Sequence, residues 1–212
     1  MVSDQPHPLP RAVELRDGSQ LVVRPIRGGD KDAIVSGFER LSPESRYRRF
    51  FAPLARLSNR DLVYLTEVDH HDHEALIGFE DGTGVPVGVA RYIRSSEELE
   101  AEVAVTVVDD WQGRGAGTAL LEALVERARD EGIERFVALV LSDNTDALEL
   151  FRHVAPDADG PRRSASGNLE LVFDLPEPGT ISESMLGRAL HAAARGALVA
   201  NPWRVIRDRI AR

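Results

Sequence analysis

Residues 101–129 read AEVAVTVVDDWQGRGAGTALLEALVERAR, and three successive segments in this stretch decide the fold. From 101 to 108 the side chains are nearly all apolar and rich in valine, broken only by Glu102 and Thr106. Such a run predicts a strand covered on both faces. Asp109 and Asp110 end it, and Gln112-Gly113-Arg114-Gly115-Ala116-Gly117 turns the chain into a helix. On that helix Leu120, Leu121, Leu124, Val125 and Ala128 share one stripe, with Glu122, Glu126, Arg127 and Arg129 outside it. Three glycines at alternate positions leave main-chain N–H groups uncovered at the positive end of the helix dipole. That arrangement suits an anion, and above all a phosphate.

Spacing sorts the phosphate-binding patterns. A P-loop requires Gly-Lys-Ser/Thr after four spacers, and no lysine stands here; a dinucleotide fingerprint counted from Gly113 would need glycine where Thr118 is found. The stretch resembles instead the pyrophosphate loop of the GNAT superfamily of acyl-coenzyme A N-acyltransferases, whose pattern is Q/R-x-x-G-x-G/A. Gln112, Gly115 and Gly117 fill that pattern, after a valine-rich strand and at the start of a helix. The resemblance covers residues 12–175. The segments LVVRPIR (21–27) and LSPESRY (41–47) are further similar to the bacterial protein-lysine acetyltransferase branch.

The chain has 212 residues, of which 42% are hydrophobic, enough for a proper core. It has no cysteine, so neither disulfides nor thiolate chemistry enters, which suits a reducing cytoplasm. No apolar run approaches the roughly 20 residues of a membrane span. Residues 1–11 read as a loose tail. The net charge of −9 argues against a nucleic-acid binder. Charge is unevenly placed: residues 176–212 hold six arginines against Glu177, Glu183 and Asp208, a net +3, which leaves −12 for residues 1–175. Of the 26 basic residues only Lys31 is a lysine.

In chain order, 12–16 and 21–26 predict a hairpin turning at Asp17-Gly18. A helix follows Gly29-Asp30, and Ser42-Pro43-Glu44-Ser45 starts a second, basic one carrying Arg46, Arg48 and Arg49. That cluster either reaches a coenzyme phosphate or an acidic partner, or stands as a solvated face. Residues 58–68 predict a third helix. His70-His71-Asp72-His73 is a poor metal set, because it lacks the fixed spacing of converging ligands, and no metal is expected. Strands are predicted at 75–80, 85–94, 136–141 and 169–173, with a helix over 145–154. Strands that first meander and then alternate with helices give a mixed α/β sheet, largely antiparallel and flanked by helices. Residues 176–212 read as a separate, basic amphipathic helical extension that packs on its own domain, on a dimer mate or on a membrane, with packing favoured.

The resemblance implies transfer of an acetyl group from acetyl-CoA to a primary amine. Such an amine, with a pKa of about 10.4, must lose a proton before it can attack a thioester. Glu102 is the candidate base: it is the acidic group set inside a valine-rich strand, where desolvation would raise its pKa toward a useful value. The other reading is a strand-edge glutamate facing solvent. By the resemblance, the thioester carbonyl is held by a main-chain N–H of Val107 or Val108, and the coenzyme by Gln112, Gly113, Arg114, Gly115, Ala116, Gly117 and Asn144. Asn144 reads equally as a helix cap. The family often has a tyrosine seven residues after that asparagine, to protonate the departing thiolate; here the position is Phe151, which has no proton to give.

The expected function is an acetyl-CoA-dependent N-acetyltransferase, cytoplasmic, acting on a protein lysine side chain. The alternatives are a non-catalytic acyl-CoA-responsive binding module and a small-molecule amine acetyltransferase.

Overall fold

The computed structural model describes residues 9–50, 53–95, 99–140, 162–163 and 169–175. Two short strands, β1 (Arg11–Glu14) and β2 (Gln20–Pro25), form the expected hairpin. A 3-10 turn at Gly28–Asp30 leads into α1 (Lys31–Glu39), followed by α2 (Pro43–Phe50) and α3 (Asn59–Thr66). Helix starts follow local chemistry. The Ser42 hydroxyl accepts from Ser45 N, and Ser58 caps α3 while Asp61 reaches back to Ser58 N at 2.8 Å.

Next come β3 (His73–Glu80), β4 (Pro86–Arg94) and β5 (Glu100–Val107), each antiparallel to the one before. A 3-10 turn at Asp109–Trp111 and the glycine loop lead into α4 (Ala116–Asp130). The chain returns in β6 (Arg135–Val140), β7 (Arg162–Arg163) and β8 (Leu169–Asp174). Among the described residues the sheet has eight strands in the order β1-β2-β3-β4-β5-β6-β8-β7, antiparallel except for β5 against β6. The mixed, largely antiparallel sheet is as the sequence predicts. The short pair β7 is an addition, inside what reads from sequence as a loop. The tail 1–8 and the extension 176–212 lie outside the described residues, as do the helix expected at 145–154, Asn144 and Phe151.

Helix α4 buries its leucine stripe against one face of the sheet: Leu120, Leu121 and Leu124 are fully buried beside Leu21, Val23, Leu76 and Ala90. The other face carries Ile26, Ala75 and Ile77 under Ala33 and Ile34 of α1. Close approach of α4 depends on glycine at two places. A Cβ at Gly78 would lie 3.3 Å from Leu120, and one at Gly88 would lie 2.6 Å from the Thr106 carbonyl oxygen and 3.1 Å from Leu120.

Gly88→Ala is therefore expected to cost about 1–3 kcal/mol of stability, the usual penalty of overpacking. Gly29→Ala, where a Cβ meets nothing within 4 Å, should stay within about 0.5 kcal/mol of the parent. Urea unfolding of the two variants checks this; equal midpoints would show that β4 and β5 can part to admit the methyl.

Candidate active site

The site begins where a ladder stops. Strands β5 and β6 pair in parallel only through Glu100–Arg135, Ala101–Phe136 and Glu102–Val137. Beyond Glu102, β5 stays paired to β4 as far as Val107, and β6 stays paired to β8 as far as Val140. The two strands thus diverge, leaving a slot with Glu102 at its closed end.

Main-chain groups of successive strand residues point to opposite edges. The Glu100 carbonyl accepts from Ser95 N and Val108 N donates to Val87 O, so even-numbered residues of β5 face β4. The odd-numbered Val103, Val105 and Val107 face the slot. The Val107 carbonyl confirms the direction, because it accepts from Gln112 Nε2 at 3.1 Å across that edge. Of the two main-chain donors expected from sequence, Val108 N–H is thus committed to the sheet, while Val107 N–H is directed into the slot.

The Gln112 side chain also reaches Asp109 Oδ1 at 3.2 Å, so it braces the loop rather than reaching outward. Asp109 Oδ2 accepts from Ser42 N at 3.0 Å, and Asp110 pairs with Arg40 at 2.6 Å, tying the 3-10 turn to α1 and α2. Trp111 is buried, with the Arg114 guanidinium 4.9 Å over its ring and 3.7 Å from Asp17. Gly113 (φ 79°) and Gly115 (φ 104°) occupy the left-handed region that a side chain disfavours. Gly115 caps α4 without a side-chain acceptor, and the first turn holds no acidic residue. The opening amides of the helix thus sit at its positive end with no carboxylate of the helix's own first turn against them. A Cβ at Gly113 would meet nothing within 4 Å, so the space before the loop is open.

Glu102 lies opposite Ile93, on the same face as Arg91, Ala104 and Thr106. It is partly buried, its Oε1 shielded from solvent, which sets aside the reading of an edge glutamate in open solvent. A cavity of about 70 Å³ lies on this face between α1, α2, α3 and β4–β5, with Phe38, Leu65, Arg49, Arg91, Thr106 and Val108 in its wall. Arg49 and Arg91 are 5% and 2% exposed. Arg91 donates to the Leu65 carbonyl at 3.0 Å and to His73 Nε2 at 3.1 Å. Burial pulls Arg91 down to about 10 and Arg49 to about 9, the latter also through repulsion from Arg91, against the pull of Tyr64 and Glu102.

The basic cluster of α2 divides. Arg46 stacks 4.4 Å over Phe38, Arg48 pairs with Glu44, and Arg49 enters the cavity wall, so a uniformly solvated face is not what forms. The histidines separate as well: His70 meets Glu74 at 2.7 Å, His71 meets Glu131, and His73 accepts from Arg91. Arg91 was not a sequence candidate. Its signal is the same as that of Glu102, a lone charge within an apolar strand.

The family model for the acetyltransferase (GNAT) family matches residues 38–154. Acetyltransferase Pat of Mycolicibacterium smegmatis is 40% identical over 137 residues, 64% of this chain and 40% of its own length, so the chain spans less than half of that relative. The GNAT domain of S. lividans PAT superposes with a TM-score of 0.69 at 39% identity, covering 80% of this chain and 99% of that one. Salmonella typhimurium yncA, solved with its cofactor acetyl-CoA, shares the fold at 20% identity and a TM-score of 0.54, over 75% and 96% of the two chains. A glycine loop of that family's pattern, on the strand and helix that the pattern demands, agrees with the match over more than half the sequence: the chain belongs to the acetyltransferase (GNAT) family, whose acyl donor is acetyl-CoA.

Proposed function

We propose that the protein transfers the acetyl group of acetyl-CoA to a primary amine, a lysine side chain of a protein, with Glu102 as general base. One observation carries the reading: the β5–β6 ladder ends at Glu102, and β5 runs on past it toward the glycine loop and the start of α4, where the N-cap Gly115 offers no side-chain acceptor. A slot edged by the main-chain groups of Val103, Val105 and Val107 suits an extended ligand with amides of its own, because buried N–H and C=O groups require partners. The open loop at its far end suits a pyrophosphate, held by the amides of Gly113, Arg114, Gly115, Ala116 and Gly117 at the positive end of the helix. Gln112 contributes by fixing the loop. The similarity of residues 21–27 and 41–47 to the protein-lysine acetyltransferase branch supports a protein lysine as acceptor.

In this reading the bound thioester supplies an acyl group activated for attack. Glu102 removes the proton that keeps the amine from attacking. The amine nitrogen then bonds to the carbonyl carbon, and Val107 N–H stabilises the charge that grows on oxygen. As the C–S bond breaks, the electron pair leaves with sulfur. A thiol near pKa ~8.5 leaves readily as thiolate, so water can return its proton and Phe151 need supply none.

Two substitutions separate binding from chemistry. Gly115→Glu places a carboxylate at the anion site and a side chain at φ 104°; acetyl-CoA binding followed by calorimetry should be lost, and retained affinity would remove the loop from the coenzyme site. Glu102→Gln should lower kcat by about 10²–10⁴, the worth of a positioned general base, while acetyl-CoA affinity persists. Unchanged turnover in a thiol-release assay would exclude Glu102 as the base.

A further inference from the structure

Glu102 stands on a face of the sheet that several charged groups share. Its row runs through Ile93 to His73, Arg91 is its diagonal neighbour on β4, and Thr106 follows on the same side of β5. Over this face α2 brings Arg49, which shares a cavity wall with Arg91 and Thr106 and is 5% exposed. From α3 comes Tyr64, whose ring lies 5.0 Å from that of His73. His73 is neutral, because its Nε2 accepts from Arg91. Glu100, on the same side of β5, is paired with Arg135 at 3.0 Å, and the β6 partner of Glu102 is the apolar Val137. The two arginines answer to different groups. Burial lowers the pKa of both, against the pull of Tyr64 on Arg91 and of Tyr64 and Glu102 on Arg49, which Arg91 also repels.

We propose that Arg49 is the positioning residue of Glu102: its buried charge keeps the Glu102 side chain an ionised carboxylate, and so sets the lowest pH at which the base can work. The inference rests on the reading of Glu102 as general base. A base takes a proton only while it is ionised, and burial disfavours the ionised form. Glu102 is partly buried, with Oε1 shielded from solvent, so a cation close by is what opposes the loss of its charge. A guanidinium suits the place: even pulled down to about 9 it remains charged at neutral pH. Both ends of α2 hold it there. At the start Ser42 N donates to Asp109 Oδ2 at 3.0 Å and Arg40 pairs with Asp110. At the end the Phe50 ring packs 5.7 Å from that of Phe38, and the Arg49 guanidinium lies 5.2 Å over the Phe50 ring. Asp109 and Asp110 also open the turn into the glycine loop, so the arginine and that loop are anchored through the same two carboxylates.

The test is a carbon NMR titration of the purified full chain, isotopically labelled at the glutamate carboxyls. The Glu102 signal is the one missing in Glu102→Gln. Without the cation a carboxylate holds its proton to higher pH. The Glu102 midpoint should therefore rise by about one to three pH units in Arg49→Gln, the usual reach of a cation beside a carboxylate, with Arg49→Lys lying between variant and parent. The acid limb of kcat/KM for acetyl-CoA and a lysine peptide, followed by thiol release, should rise by the same interval. Should Arg49→Gln fail to fold, Arg49→Met, apolar like most of the cavity wall, takes the same comparison. A Glu102 midpoint that stays where it is in the parent overturns the proposal, and a loss of turnover equal at every pH would then mark Arg49 as merely structural. A midpoint that moves while the acid limb stays supports the pairing of Arg49 with Glu102 and overturns Glu102 as the base. No turnover at any pH beside a moved midpoint likewise supports the pairing and overturns the transferase reading.

Discussion

The parting of β5 from β6 after Glu102 is the constraint on which the site depends. A parallel pair has no short turn to hold it in register, so its register is fixed by what packs on it. Here α4 and the ring contact between Tyr92 and Phe136, 6.2 Å apart, hold the paired end. Past that end each strand stays in register only because its outer neighbour continues, β4 for β5 and β8 for β6. The outer ladders therefore keep the slot open: without them, β5 and β6 would be free to close on one another.

The loop that ends the slot is rigid for separate reasons. Gln112 bridges Val107 O and Asp109, Asp109 and Asp110 reach to Ser42 and Arg40, and Arg114 lies on Trp111. Polar side chains of the loop are thus directed back at the protein, leaving main-chain amides as what it offers outward. That is the preorganisation an anion site needs, since the donors are already in place before a ligand arrives.

The fold was legible where periodicity is strong. The valine strand, the leucine stripe of α4 and the Ser-Pro and Ser-Asn helix starts all form within a residue or two of where the sequence puts them. Glycine spacing in the loop was legible too, because φ near +79° and +104° at Gly113 and Gly115 is a demand only glycine meets cheaply. What sequence could not provide was direction. Whether Val107 or Val108 faces the slot depends on the edge to which β4 binds, and one residue of register reverses it. Whether Arg49 is solvated depends on how α2 rolls against α1, which a pattern of three arginines in four positions does not specify. Arg91 escaped notice because a lone charge in a strand is usually an edge residue, and the strand becomes central only once β3 and β5 flank it.

The electrostatics of the chain act at two ranges with opposite sign. At long range the net −9 draws cationic amines toward the protein. At short range the cavity wall carries two guanidinium groups, with Glu102 a diagonal neighbour of Arg91 across the β4–β5 ladder. A protonated amine entering that cavity meets cations, and cations lower the pKa of an ammonium beside them. In the proposed reaction an amine beside these cations would be pressed to release its proton to Glu102, the step that an amine of high pKa makes slow.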